Sequence, residues 1–179
     1  MTSPHQGQGA GTNAAPLIVT AELPPDLHSW MDTLRRAHFP PERNHLSAHV
    51  TLFHNLPPSA EAELRDVLAR FAAGPPPPAR IEGLMSLGRG TAIRLASPAM
   101  LALRADLADH FDTLLTAQDR APPRLHVTVQ NKVSPQEAKA LQAVLAPQVR
   151  PADFRFAGLA LHAYLGGPWR LLKRWSFRG

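Results

Sequence analysis

The tripeptide His-Val-Thr occurs twice, at His49-Val50-Thr51 and at His126-Val127-Thr128, and the residues that follow each copy also match. With His49 set on His126, Leu52 falls on Val129, Leu56 on Val133, Pro58 on Pro135 and Leu64 on Leu141, every pair 77 residues apart. A tripeptide recurs easily by chance. One followed by matched apolar positions, a matched proline and a matched helical leucine does not. The chain reads as a duplicated unit in which each half contributes one His and one Thr to a common site.

At 179 residues this is a single domain, or two small lobes that share a core. No stretch approaches the run of about 18 apolar residues that a membrane span needs. The N-terminus lacks the basic and apolar regions of a secretory signal, and cysteine is absent, which removes disulfide and thiolate chemistry. The expectation is a cytoplasmic protein. The formal charge of +5 rests mostly on arginine, since only Lys132, Lys139 and Lys173 are lysines. Arginine forks suit phosphate, although net charge alone does not select a nucleic-acid partner.

Residues 1–15 are almost devoid of apolar side chains and read as a disordered tail, His5 included. Residues 16–179 read as one bilobal domain, with the proline run from Gly74 to Pro78 as a stiff connector between its halves. Leu17 to Leu23 predicts a strand, and Pro24-Pro25-Asp26 opens a helix to about Ala37. His45 to Phe53 predicts the first motif strand, and Ser59 caps a helix with Leu64, Val67, Leu68 and Phe71 at helical spacing. Ile81–Leu87 and Thr91–Leu95 form a hairpin through Gly88-Arg89-Gly90. Ser97-Pro98 opens the next helix, Arg124 to Val133 forms the second motif strand, and Ser134-Pro135-Gln136-Glu137 is a capping box. Phe154–Tyr164 and Trp169–Phe177 close the chain as strands. The fold class is α+β: a duplicated bilobal fold, two antiparallel-type sheets with outer helices flanking a central cleft.

Side chains alternate across a strand. One face of the first motif strand carries His45, Ser47, His49, Thr51 and Phe53, and one face of the second carries Arg124, His126, Thr128, Gln130 and Lys132. Burying both polar faces dry would cost about 1–3 kcal/mol per unpaired group. A cleft lined by both faces avoids that cost. Two imidazoles across a cleft suit acid–base chemistry on a phosphodiester, because near neutral pH one ring can be neutral and the other charged. The threonine hydroxyls can donate to phosphate oxygens as charge develops. No metal or cofactor is required.

At these residues the chain resembles the two-histidine (2H) phosphoesterase superfamily, in particular its 2'-5' RNA ligase and RNA 2',3'-cyclic phosphodiesterase family. The resemblance covers essentially Pro16 to Phe177. It implies a pseudo-symmetric fold with His49, Thr51, His126 and Thr128 as the catalytic set. It also implies metal-independent hydrolysis of 2',3'-cyclic phosphate ends or small nucleotides, or reversible 2'-5' joining. Many hydrolytic members have Gly-Arg after the second motif, and Lys132 stands in that region here as a phosphate contact. Phe53, Arg124, Gln130 and Lys132 complete the substrate-binding candidates. The partner expected is an RNA end or a nucleotide bearing a cyclic phosphate, with no membrane and a monomeric protein.

Other readings compete. His45, His49 and His54 do not converge as metal ligands on a strand, where His54 takes the opposite face and no carboxylate is nearby. Phe53 is the base-stacking candidate, Trp175 reads as packing, and Trp169 is open. Arg170, Lys173, Arg174 and Arg178 read as a solvated strand face before they read as an RNA guide. A non-catalytic RNA or nucleotide binder is the alternative to the enzyme, but a binder has no need of two matched imidazoles.

Overall fold

The computed structural model describes residues 15–179, so the tail assigned to the first residues lies outside it up to residue 14. The strands are β1 (Leu17–Glu22), β2 (Val50–Leu56), β3 (Pro78–Ser86), β4 (Thr91–Ala96), β5 (His126–Gln130), β6 (Ala152–Arg155), β7 (Gly158–Tyr164) and β8 (Trp169–Ser176). The helices are α1 (Pro25–His38), α2 (Glu61–Ala72), α3 (Pro98–His110), α4 (Ala117–Arg120) and α5 (Pro135–Leu145). The strands form two four-stranded sheets, in the orders β2-β1-β7-β8 and β5-β4-β3-β6, and every pair is antiparallel.

The two orders are the same pattern written twice. Each motif strand, β2 or β5, is an edge strand, and its inner neighbour, β1 or β4, comes from the same half. The third place in each sheet is exchanged: β7 of the second half lies beside β1, and β3 of the first half lies beside β4. The proline run expected to connect the halves thus lies inside the first half, before β3, and the β3–β4 hairpin joins the halves. The exchange is why both halves share one core. Leu17, Val19, Val50, Leu52, Leu159 and Leu161 of the first sheet join Ile81, Ile93, Leu95, Val127 and Val129 of the second in one buried cluster. The α2 side chains Leu64, Val67 and Leu68 and the α5 side chains Leu141 and Leu145 add to it at helical spacing.

Caps and turns place several elements as the sequence indicates. The Ser97 hydroxyl accepts from the Met100 amide at 3.1 Å, and Ser134 and Glu137 form the full capping box on α5. Leu87 donates to the Gly90 carbonyl in the predicted hairpin. Four expectations need correction. Ser59 caps nothing: Pro57 and Pro58 start a short 3-10 turn, and α2 begins beyond it from Ala60. Residues 45–49 are irregular, because side chains of α1 take their backbone groups: the Leu46 carbonyl by Arg35 and the Ala48 amide by Asp32. The second motif strand stops at Gln130, short of Val133.

The segment Phe154–Tyr164 is two strands in different sheets. The Phe156 amide donates to Pro77 and the Ala157 amide to Glu22, so the chain passes from one sheet to the other at these two residues. The helix α4, capped by Thr116, was not foreseen. Among the described residues no helix is long and apolar enough to cross a membrane.

Candidate active site

Both motif strands carry a bulge at the same place. In β2 the pairing with β1 shifts between Thr51 and Phe53, and in β5 the pairing with β4 shifts between Thr128 and Gln130. Leu52 and Val129, the residues at these shifts, are themselves 77 apart. A bulge adds one residue to one strand and reverses the alternation beyond it. Side chains up to Thr51 and Thr128 therefore keep the polar face, and the next ones turn inward. Gly90 allows the second bulge, since a Cβ there would lie 2.2 Å from the Gln130 carbonyl oxygen.

The reversal corrects two substrate-binding candidates. Phe53 is 1 % exposed and packs in the core, with the Arg104 guanidinium 4.4 Å over its ring, so no base can stack on it. Gln130 is buried too, and its Oε1 accepts from the Thr91 hydroxyl at 3.1 Å. Arg124 is exposed and borders a hollow with Arg94, Ser97 and Leu125; Arg94 pairs directly with His126 across β4 and β5, so the two side chains share one face of the sheet. Lys132 lies beyond the strand end, exposed, with left-handed backbone (φ 60°). Thr51 and Thr128 are half-buried before the bulges, and Thr51 sits opposite Thr20 of β1.

The two motif histidines are held alike. His49 Nδ1 lies 2.7 Å from the Ser47 carbonyl oxygen, and His126 Nδ1 lies 2.6 Å from the Arg124 carbonyl oxygen. A carbonyl only accepts, so each Nδ1 carries the proton and donates. Each Nε2 is then left out of that bond, able to accept a proton when the ring is neutral and to donate one when it is charged.

Around His49 the sequence reading missed a polar wall. His162 of β7 shares a hydrogen bond of 3.0 Å between its Nε2 and the Thr20 hydroxyl. The Trp169 ring packs 4.7 Å from His49 and 5.4 Å from His162, centroid to centroid, which puts it against the first motif histidine. Thr20, Glu22, His28, Ser47, His49 and Arg174 border a hollow of about 50 Å³ together with His162. The available signal was a lone histidine in the apolar run Leu159–Ala163, a buried polar group that must find a partner. Its partner, Thr20, is 142 residues away.

Burial is the largest influence on His49 and lowers its pKa to about 4, with the charges of Arg35, His162 and His126 acting in the same direction and the Ser47 bond opposing them. His49 is thus neutral through the physiological range. Burial also lowers His162, helped by Arg174 and opposed by Glu22.

His54 does have a carboxylate beside it, contrary to the sequence reading. Asp119 of α4, fully buried, accepts from the His54 ring at 3.0 Å and from the His54 and Asn55 amides. Burial alone would raise this carboxyl, but those bonds outweigh it and hold it below the usual carboxylate range. Its role is to fold α4 onto β2. Among the described residues no three His, Asp or Glu side chains stand together as a metal site. Trp175 packs against the core, as expected, and Lys173 lies 5.5 Å from its ring centre. Arg170, Lys173, Arg174 and Arg178 are exposed.

The sequence profile of the 2'-5' RNA ligase superfamily matches residues 23–168, most of the chain and both motifs. The chain belongs to this superfamily. Solved structures of similar fold include Escherichia coli LigT complexed with 3'-AMP, at 19% identity and TM-score 0.62 over 93% of this chain and 99% of that one. A protein of Thermus thermophilus matches at 19% identity and TM-score 0.58, over 92% and 98% of the two chains. LigT complexed with phosphate matches at 18% identity and TM-score 0.52, over 93% and 99%. No curated protein sequence matches significantly. At these identities the structural likeness establishes the duplicated 2H fold, and the superfamily match assigns chemistry of the phosphoesterase or ligase type.

Proposed function

We propose that this 2'-5' RNA ligase superfamily member is a metal-independent phosphodiesterase that opens 2',3'-cyclic phosphates on RNA ends or small nucleotides. The observation that carries the reading is the matched imidazole geometry: in both halves Nδ1 is bound to the carbonyl two residues back, and Nε2 is left for the substrate. LigT, which shares the fold, has been crystallised with 3'-AMP and with phosphate, which fits a site for a ribose-linked phosphate.

In this reading His49 is the base. Its Nε2 takes a proton from water as the water oxygen bonds to phosphorus. The bond from phosphorus to one ribose oxygen breaks, and the Nε2 proton of a charged His126 goes to that oxygen. The hydroxyls of Thr51 and Thr128 donate to the non-bridging oxygens, where negative charge grows. With the 5'-hydroxyl of a second RNA end in place of water, the same step joins the ends through a 2'-5' linkage: His49 takes the proton of the attacking hydroxyl, the bond from phosphorus to the 3'-oxygen breaks, and His126 gives that oxygen its proton. Trp169 replaces Phe53 as the aromatic surface beside the base. We place the protein in the cytoplasm as a monomer.

The test is turnover of the four nucleoside 2',3'-cyclic phosphates and of a cyclic-phosphate-ended oligonucleotide, in EDTA, by wild type, His49→Ala and His126→Ala. Each variant should lose about 10²-fold or more while keeping its circular dichroism spectrum. Activity near wild type in either variant, or a rate abolished by EDTA, refutes the mechanism.

A further inference from the structure

A buried arginine that the mechanism does not use touches both motif segments. Arg35, on α1, is 4 % exposed. Its Nε donates to Asn44 Oδ1 at 2.8 Å and to the Leu46 carbonyl at 3.1 Å, while its Nη1 donates to the Thr128 carbonyl at 2.9 Å. One helical turn earlier, Asp32 accepts from the Ala48 amide at 2.8 Å. The first two bonds and the Asp32 bond grip residues 44–48, which lie outside the β2 ladder and must bring the Ser47 carbonyl to His49. The third grips the strand that carries His126, two residues from the imidazole. One planar fork therefore spans the two halves, with three bonds in fixed relative directions.

We propose that Arg35 is a positioning residue that sets the separation and aim of His49 and His126 by tying the segment before one to the backbone beside the other. The proposal rests on the two-histidine reading. Its logic is that acid and base must reach opposite oxygens of one phosphorus at once, and a misplacement of about 1 Å costs on the order of 10²-fold in rate. The positive charge also acts on His49 directly, as one of the groups that keep it neutral.

The second half supplies the control. Arg104 of α3 is equally buried, donates to the Leu52 and Asp119 carbonyls and lies over Phe53, as Arg35 lies over Phe39. Its carbonyl on β2 is at the bulge, beyond Thr51, and its other carbonyl is on α4, away from Arg124, whose carbonyl holds His126. Its loss should weaken the fold and leave the site's titration alone. The other charged or titratable groups near His49 are retained in the Arg35 and Arg104 variants: Asp32 and His28 from α1, His45 before β2, Glu22 from β1, His126 from β5, His162 from β7 and Arg174 from β8.

The experiment compares Arg35→Gln, Arg35→Lys and Arg104→Gln in the full chain, with His49→Ala as reference. Readouts are Tm, kcat and KM on a nucleoside 2',3'-cyclic phosphate, and the pH profile of kcat/KM. Arg35→Gln should lower kcat about 10-fold or more with KM within about 2-fold, and should move the acid limb to higher pH. Arg35→Lys keeps the charge and loses the fork, so it should lower kcat and leave the limb where it is. Arg104→Gln should lower Tm with kcat within about 2-fold and an unchanged limb. If Arg35→Gln does not fold, Arg35→Lys decides by kcat alone, and wild-type kcat there overturns the proposal. Equal loss of kcat in Arg35→Gln and Arg104→Gln with no movement of the limb also overturns it, leaving Arg35 a purely structural role. An active His49→Ala would instead remove the two-histidine reading itself.

Discussion

Acidification tests His49 directly, because its surroundings hold the ring neutral at a pH where an ordinary histidine is charged. With the usual pKa near 6.5, only about one-tenth of such rings are neutral at about pH 5.5. With the pKa at about 4, nearly all of them are, roughly 97% by the same relation. If His49 is the base, kcat/KM at about pH 5.5 should stay within about 2-fold of its plateau, where an unperturbed base would have lost about 10-fold. The same shift enters stability. Because the folded value lies below the unfolded one, the unfolded chain binds the extra proton between about pH 6.5 and 4. The contribution of neutral His49 is complete above about pH 6.5 and is lost as the pH falls toward 4. At 1.36 kcal/mol per unit the full shift would be about 3.4 kcal/mol, and solvent screening of the half-buried ring brings it to about 1–3 kcal/mol. The assay pairs a pH–rate profile with urea unfolding of wild type and His49→Gln at about pH 7 and pH 5. Wild type should lose more stability than His49→Gln over this interval. A tenfold fall in kcat/KM by about pH 5.5, with the same pH dependence of unfolding in both proteins, would refute the argument.

Phe53→Ala should destabilise by about 3–5 kcal/mol in chemical unfolding, because it empties a fully buried ring site and leaves Arg104 without its aromatic cover. At a temperature where it remains folded, its KM should match wild type; a selective rise in KM would restore Phe53 as a substrate contact. Trp169→Ala should raise KM for a nucleoside cyclic phosphate, measured by initial rates, and an unchanged KM would remove it from the substrate surface. Gly158→Ala should lower Tm strongly, since the new Cβ would meet the Trp175 carbonyl oxygen at 2.3 Å across the β7–β8 pair. Added salt should weaken binding of a longer RNA more than that of a mononucleotide in a titration, given the exposed Arg170, Lys173 and Arg178; equal slopes would count against a guiding role for them.

The repeated motif made the matched candidate residues legible, because each pair is local in sequence: Thr51 and Thr128 fall on matching strands, with His49 just before one and His126 at the start of the other. Helix starts were legible where a serine cap is followed by proline and a long apolar pattern, as at Ser97 and Ser134, but not at Thr116, whose helix is only one turn long. What local pattern could not carry was the step of one residue at Leu52 and Val129. Alternation counted straight through these positions puts Phe53 and Gln130 on the wrong face, and only the pairing with β1 and β4 reveals the shift. The wall of Thr20, His162 and Trp169 depends on β7 pairing with β1 over more than a hundred residues. Arg35 and Arg104 look like ordinary exposed helix positions in sequence. Their burial is decided by carbonyls that other segments bring to them.

The exchange of third strands has a consequence for how such a molecule can exist at all. A single half, β1-α1-β2-α2-β3, leaves β1 without its inner neighbour and sends β3 away to pair with another strand of the β1 kind. Two free halves would have to trade these strands and close as a swapped, two-fold dimer. The present chain is that dimer made covalent, with Gly74 to Pro78 inside the exchanged arm. Cutting this arm would not release two folded modules. It would leave the second sheet whole on one fragment and strip β1 and β2 from the first, and the two-histidine site would appear only when the fragments meet.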